Sequence, residues 1–274
     1  MPDQARHDAS ATFYESTKVR QSLRPAQYGN RNIFLAVMEN VFANIGPLKK
    51  TDIFKGLAEE QYNRAIQSGI KKQVHPNDFL FHQGAPASKC YLVMQGQLKL
   101  TKLNEQGREV ILRYVGVGEL TAAVAVLKNE VYPVTAESVG TVEVIGWDHL
   151  TMMKLMHQFP DIAINFLGIV LTRIDDVQRR YLEICTEQVD RRIARSLLRL
   201  MRWKGVKTED GILIEIPLSR QNIADYSGTT LYTVSRTLSS WEKSNWIKSG
   251  REKIIITDPH ALVAFAEANE KSIT

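Results

Sequence analysis

The residues of this chain best suited to chemistry form a recognition face, not a catalytic set. The segment IPLSRQNIADYSGTTLYTVSRTLSSWEK, Ile216 to Lys243, reads as two helices joined by a short turn. Ser219 can N-cap the first helix, Gly228 can take the left-handed turn that ends it, and a second helix begins near Thr230. Ala224 lies four residues before Gly228 and Val234 six after it. Small, glycine and β-branched residues at these positions let two helices cross closely, which predicts a helix-turn-helix. The exposed face of the second helix then carries Thr230, Leu231, Tyr232, Thr233, Ser235 and Arg236, where an ordinary helical hairpin would carry Glu/Lys pairs. Short hydroxyls suit phosphates and base edges, and the Arg236 fork can span the two major-groove acceptors of a guanine. Downstream, WIKSGREKIIIT reads as two short strands turning at Ser249-Gly250. This would be a wing whose Lys248, Arg251 and Lys253 either meet backbone phosphate or are merely surface charges at a hairpin tip.

No Walker loop, GxSxG or HExxH is present, so an enzymatic role has no motif behind it. The only cysteines, Cys90 and Cys185, exclude a disulfide framework, a four-cysteine zinc site and an all-cysteine iron–sulfur cluster within one chain. A net charge of +5 favours polyanions only mildly. No apolar run reaches the roughly 18 residues of a membrane span, and the first residues lack a signal-peptide core, so a cytoplasmic protein without a membrane partner is expected.

The elements that position the recognition face follow from periodicity. With 274 residues, 44% of them hydrophobic, the chain has room for two folded units. Residues 1–50 form an extension with an apolar, helical stretch from Ile33 to Ile45 that Gly46-Pro47 stops. From Val74 to Trp147, short alternating runs separated by turn signals at Gly84, Gly96, Gly107 and Gly118 predict a compact antiparallel β-roll, jelly-roll-like, within a unit spanning 51–158. From Pro160 to Ile184 the period becomes helical. Leu167, Val170, Ile174, Val177, Tyr181 and Ile184 alternate spacings of three and four, the seam of a parallel coiled coil. A stripe packed on its own roll, or one side of a buried helix, would show the same spacing. The seam helix (159–187) and a DNA-binding unit (188–274) complete an α+β architecture. The latter opens with VDRRIARSLLRLMRW, whose arginines either line DNA or form a solvated face.

β-roll, seam helix and winged helix-turn-helix in this order resemble the Crp/Fnr family of bacterial regulators from about Asp52 to Asp258. FHQGAPASKCYLVMQGQLKL is similar to the family's first roll strands, FPDIAINFL to the start of its dimer helix, and RRIARSLLRL with LSRQNIADYSGTTLYTVSR to its DNA-binding unit. The resemblance implies a homodimeric regulator that acts as an activator on a palindromic promoter, with RNA polymerase as a further partner. An effector in the roll would reposition its recognition helices. It also implies that Ser219, Arg220, Gln221, Thr230 and Thr233 contact phosphate and that Arg236 reads guanine. Where many members place a glutamate that accepts from a cytosine amine, this chain has Tyr232, so the half-site should differ at that base pair.

The effector side departs further. The family's cyclic-AMP motif, Gly-Glu-Leu for the ribose and Arg-Ser for the phosphate, is replaced by Ala122-Ala123-Val124 and Tyr132-Pro133. Cyclic AMP therefore loses both its ribose carboxylate and its cationic phosphate ligand. The N-terminal cysteine cluster of oxygen-sensing relatives is also missing. An apolar pocket remains, expected between Leu112, Tyr114, Ala122, Ala123 and Tyr132 of the roll and Arg173, Val177 and Tyr181 of the helix. Arg173 would either clamp a carboxylate or phenolate, pointing to a small organic acid or aromatic effector, or face solvent on the helix flank. The cofactor stays unassigned; haem ligated by His75, His82 or His149, in a gas sensor, is the rival reading.

Overall fold

The structure, a computed structural model, describes residues 52–267. The extension before Asp52, including the Ile33–Ile45 stretch, lies outside the described residues. A 3-10 turn, Asp52–Phe54, and helix α1, Glu59–Gln67, precede the roll. The roll contains strands β1 Ile70–Val74, β2 Phe79–Phe81, β3 Cys90–Leu103, β4 Glu109–Val115, β5 Leu120–Thr121 and β6 Thr135–Trp147. All its pairings are antiparallel, in the order β1-β6-β3-β4, with β2 added to β6 and β5 to β3.

The long strands β3 and β6 form the spine, paired from Cys90↔Trp147 to Thr101↔Thr135. Their inward residues bury Leu92, Leu98, Val142 and Ile145 almost completely. Trp147 closes one end. Its indole N–H donates to the Ala65 carbonyl at 2.9 Å, and Phe54 meets its ring edge-on at 5.8 Å. Cys90 is sealed in this core, where burial pushes its thiol up to about 12.

Gly84, Gly107 and Gly118 sit in turns as expected, whereas Gly96 does not. It lies inside β3 at φ 78°, where the β3–β6 register shifts between Gln95 and Gln97. The pairing is the physical reason: between Gln95↔Glu143 and Gln97↔Val139 the single Gly96 faces three residues of β6, and it follows them through left-handed backbone, which glycine adopts freely. A Cβ there would stand 2.3 Å from the Thr141 carbonyl oxygen.

Helix α2, Ala123–Lys128, begins after Ala122, an L-residue held at φ 63°. Helix α3, His149–Gln158, is N-capped by Asp148, whose carboxylate accepts from the Thr151 amide at 2.8 Å. Helix α4, Pro160–Thr186, starts with proline at its first turn, where the missing N–H is harmless. Its opening turns are anchored. Ile162 is fully buried, Phe166 and Ile169 pack on the roll core, and the Asn165 amide donates to the carbonyls of Ile53 and Lys55.

The C-terminal unit comprises α5 Val189–Lys204, β7 Gly205–Thr208, β8 Gly211–Ile214, α6 Arg220–Ser227, α7 Leu231–Lys243, β9 Ile247–Gly250, β10 Lys253–Ile256 and α8 Pro259–Glu267. β7 and β8 extend the wing into a four-stranded sheet ordered β7-β8-β10-β9, although nothing in the sequence reading marked GVKTEDGILI as strands. The hairpin tip is also displaced from the expected position. Ser249 and Gly250 lie within β9, and the turn is Arg251-Glu252, with Glu252 at φ 55°. Pairing of Ile254 with Ser249 and Ile256 with Ile247 fixes that register, because it buries the isoleucines of β10. Trp241, Trp246 and Phe265 pack ring to ring and lock α8 onto the base of α7. No single described helix is long and apolar enough to cross a membrane.

Replacing Gly96 by alanine should destabilise the roll by at least about 2 kcal/mol, from the left-handed backbone and the clash with Thr141. Thermal unfolding followed by circular dichroism checks this; an unchanged midpoint would contradict that pairing.

Candidate nucleic-acid interface and effector cavity

The helix-turn-helix is assembled by its caps. The Ser219 hydroxyl accepts from the Asn222 amide at 3.0 Å, and the Asn222 side chain accepts from the Ser219 amide at 3.0 Å, a reciprocal capping box. α6 ends at Gly228, whose φ of 68° and ψ of 42° give the left-handed turn its sequence position implied. Thr230 then caps α7 by accepting from the Thr233 amide at 3.2 Å. Ala224 and Val234, the two small-residue signals, are completely buried where the helices cross.

This crossing turns one side of α7 outward. Thr230, Leu231, Tyr232 and Arg236 are exposed, Tyr232 at 75%, while Thr233 and Ser235 are half-buried. Among the described residues Arg236 makes no hydrogen bond or ion pair, so its guanidinium is available. Arg220 is placed differently. It is half-buried, donates to the Ser235 carbonyl at 3.5 Å and the Ser249 hydroxyl at 3.4 Å, and lies 3.7 Å from Glu242. It therefore braces α6 against both α7 and the wing. Gln221 donates to Asp225 at 2.8 Å, and Lys248 pairs with Asp210 at 2.6 Å on the surface. Arg251 is exposed at the hairpin tip.

A cavity of about 1020 Å³ lies between the roll, α4 and the C-terminal unit. Of the expected pocket residues, Leu112, Tyr114, Ala122, Ala123, Arg173, Val177 and Tyr181 line it. Tyr132 does not. It is buried in the roll core, stacked on Phe81 at 4.1 Å, and its hydroxyl is engaged by the backbone N–H and carbonyl of Lys89. Arg173 meets Glu119 at 2.9 Å, and Arg113 meets the same carboxylate oxygen at 3.0 Å. Burial pushes Arg113 down to about 10, against the opposing pull of Glu119, so its guanidinium stays charged at neutral pH beside that carboxylate. His75, His82 and His149 lie away from this lining; His149 bonds the Val126 carbonyl at 3.0 Å. No group of three or more His, Cys, Asp or Glu among the described residues is placed to hold a metal ion.

Sequence reasoning missed the residues that close the cavity at the C-terminal unit. The Tyr114 ring lies 5.9 Å from Trp203 and 6.0 Å from Tyr226, and the Arg180 guanidinium sits 4.3 Å above Tyr226. Arg108 of the roll donates to the Thr229 carbonyl at 3.1 Å, in the turn of the helix-turn-helix. α6 is thus docked on β4. No spacing rule links such distant positions; only the excess of arginine in α5 hinted at a use.

Two domain models match this chain in order: a cyclic nucleotide-binding domain over residues 71–159 and a Crp-like helix-turn-helix domain over 191–265. The chain belongs to the Crp/Fnr family. It is 22% identical over 220 residues to the CRP-like cAMP-activated global transcriptional regulator of Mycobacterium tuberculosis, covering 78% of this chain and 96% of the relative. It is 29% identical over 187 residues to the global nitrogen regulator of Synechocystis, covering 67% and 82%. Among solved structures, the c-di-GMP responsive global regulator CLP of Xanthomonas campestris shares the fold at a TM-score of 0.66 and 18% identity, over 73% of this chain and 99% of that one. As a Crp/Fnr member this chain is a DNA-binding transcription regulator.

Ser219→Ala removes the α6 cap and should cost about 1 kcal/mol of stability, which chemical denaturation measures. Arg236→Ala should cost roughly 1–3 kcal/mol of discrimination at one base pair. A binding-site selection that returns the parental preference would remove Arg236 from base reading.

Proposed function

We propose that this Crp/Fnr regulator is a homodimer that binds a palindromic promoter site under the control of a small organic acid or aromatic effector, and activates through RNA polymerase. Residues 51–158 act as the sensor, 159–187 as the dimerisation helix and 188–274 as the DNA-binding unit. The observation that carries this reading is the cavity bordered at once by the roll, α4 and the DNA-binding helices. A ligand there touches both the sensor and what it controls. Its lining combines apolar Leu112, Val170 and Val177 with Arg173, the composition expected of a site for an organic anion. Cyclic AMP is disfavoured because Ala122 and Ala123 supply no carboxylate for its ribose.

The dimer reading rests on α4. Leu167, Ile174, Val177, Tyr181 and Ile184 are between 46% and 67% exposed, and Val170 is half-buried. Their own roll leaves this stripe uncovered, and a second α4 in parallel register would cover it. At the DNA, Arg236 and the α7 hydroxyls read and grip the major groove while Ser219, Gln221, Arg251 and the wing hold phosphate. Arg220 fixes the angle between α6 and α7, and phosphate contact through its remaining N–H groups is compatible with that bracing.

Ile174→Glu should convert the dimer to a monomer in sedimentation velocity and weaken full-site binding at least about 100-fold, since two linked half-sites bind with high effective concentration. A screen of organic acids and aromatics, read by DNA affinity, should find a ligand whose effect Arg173→Ala abolishes. A response that survives Arg173→Ala would move the effector elsewhere.

A further inference from the structure

Among the described residues, four buried side-chain atoms lack a hydrogen-bond partner: Tyr114 Oη, Arg180 Nη2, Arg192 Nε and Arg199 Nε. All four side chains border the same cavity, at its end against the DNA-binding unit, and they come from three elements, β4, α4 and α5. Each is otherwise fixed. Arg180 donates to the Leu112 carbonyl and covers Tyr226. Arg192 donates to the carbonyls of Glu187 at 3.2 Å and Gly228 at 3.4 Å, and Arg199 grips Glu183 at 2.7 Å. One buried nitrogen is left without an acceptor on each of these arginines.

Charge decides what accepts from them. Eight arginines and four carboxylates line the cavity; Arg179 pairs with Asp176, one of the four, and Arg195 with a fifth carboxylate outside the lining, Glu187, which still leaves arginine in excess. Of those carboxylates, Glu119 is shared by Arg113 and Arg173, and Glu183 is engaged by Arg199. Water would meet the donors but leave the excess positive charge uncompensated, whereas an oxyanion meets both. Burial raises the Tyr114 phenol, so it stays protonated and donates.

We infer that the junction between the roll and the DNA-binding unit is an oxyanion site, at which Tyr114, Arg180, Arg192 and Arg199 hold a phosphate or carboxylate group of a small, multiply charged ligand. The inference rests on the cavity reading above for the space itself but not for the role of Arg173. Because Arg192 and Arg199 belong to α5, the first helix of the DNA-binding unit, a bound anion ties that unit to both α4 and β4. A ligand spanning the cavity would set its apolar body against Leu112 and Val170 and its charge here.

The test is a thermal-shift titration of the full chain with pyrophosphate and, separately, citrate, each against sodium chloride at matched ionic strength. A saturable rise in midpoint beyond the salt control is expected for at least one. A response to pyrophosphate alone assigns a phosphorylated ligand, one to citrate alone a polycarboxylate, and one to both an unselective oxyanion site. Arg180→Gln should weaken the apparent affinity at least about tenfold, as loss of a charge-assisted bond does. Tyr114→Phe keeps the ring between Trp203 and Tyr226. It should leave the anion-free protein as stable or more so, because an unpaired buried hydroxyl is gone, yet weaken the anion response about threefold or more. Arg64→Gln, outside the cavity lining, and Arg236→Ala should leave the response intact. The oxyanion site is read by the thermal shift of Arg180→Gln and the Arg173 assignment by the ligand-dependent DNA affinity of Arg173→Ala, so the failure of one is distinct from the failure of the other. The inference is overturned if neither anion exceeds the salt control, if Arg180→Gln and Tyr114→Phe respond like the parent, or if Arg236→Ala abolishes the shift, which would place the anion on the DNA-binding face.

Discussion

The rest of this structure depends on the apolar anchoring of α4 at its first turns. Ile162 is buried in the roll core and Asn165 is bonded to two carbonyls beside Phe54, so the first turns of the helix belong to the roll. Beyond Val170 the helix leaves that support with apolar residues still on it. Burial of a large aliphatic side chain contributes roughly 1.5–3 kcal/mol, so a row of them in water is a standing deficit that a second surface must meet. Val170, Val177 and Tyr181 of that row also border the cavity, and the end of the helix carries α5.

Arginine does most of the polar work along this helix and the next. Arg199 with Glu183, Arg195 with Glu187 and Arg173 with Glu119 join neighbouring elements through partly buried ion pairs. Such pairs fix geometry more than they add stability, since desolvation offsets much of their attraction. The five arginines of α5, noted in the sequence as either solvated or DNA-facing, mostly do neither. Arg192, Arg195 and Arg199 are spent on the junction between units, and so is Arg180 of α4.

What the sequence made legible were features encoded within a few residues. Ser219, Gly228 and Thr230 specify caps and a turn through local backbone chemistry, and the period change at Pro160 specifies a helix; all appear where their residues imply. Strand existence was legible from alternation, but register was not. Gly96 looks like any turn glycine until the Thr141 carbonyl, 45 positions on and close across the sheet, shows that it lies inside an irregular strand pair. The hairpin tip moved from Ser249-Gly250 to Arg251-Glu252 because the burial of Ile254 and Ile256, not turn propensity, sets the pairing. The pocket was legible on the roll and α4 sides, save for Tyr132, whose hydroxyl is satisfied locally. Its third wall, made by Trp203 and Tyr226, depends on how α6 docks on β4, and no local pattern encodes that docking.

The 27 residues of α4 make a rod of roughly 40 Å, fixed near Ile162 and followed at Glu187–Gln188 by two extended residues. A rod packed into a core at one end and held by polar contacts alone further along can act as a lever. Tilting it by about 10° at the pin would carry the far end roughly 7 Å, more than half the ~12 Å width of a DNA major groove. In the proposed dimer the roll would therefore need no large rearrangement to change where the two recognition helices fall. A shift small enough to be absorbed by repacking around Phe166 and Ile169 would separate a productive spacing from an unproductive one.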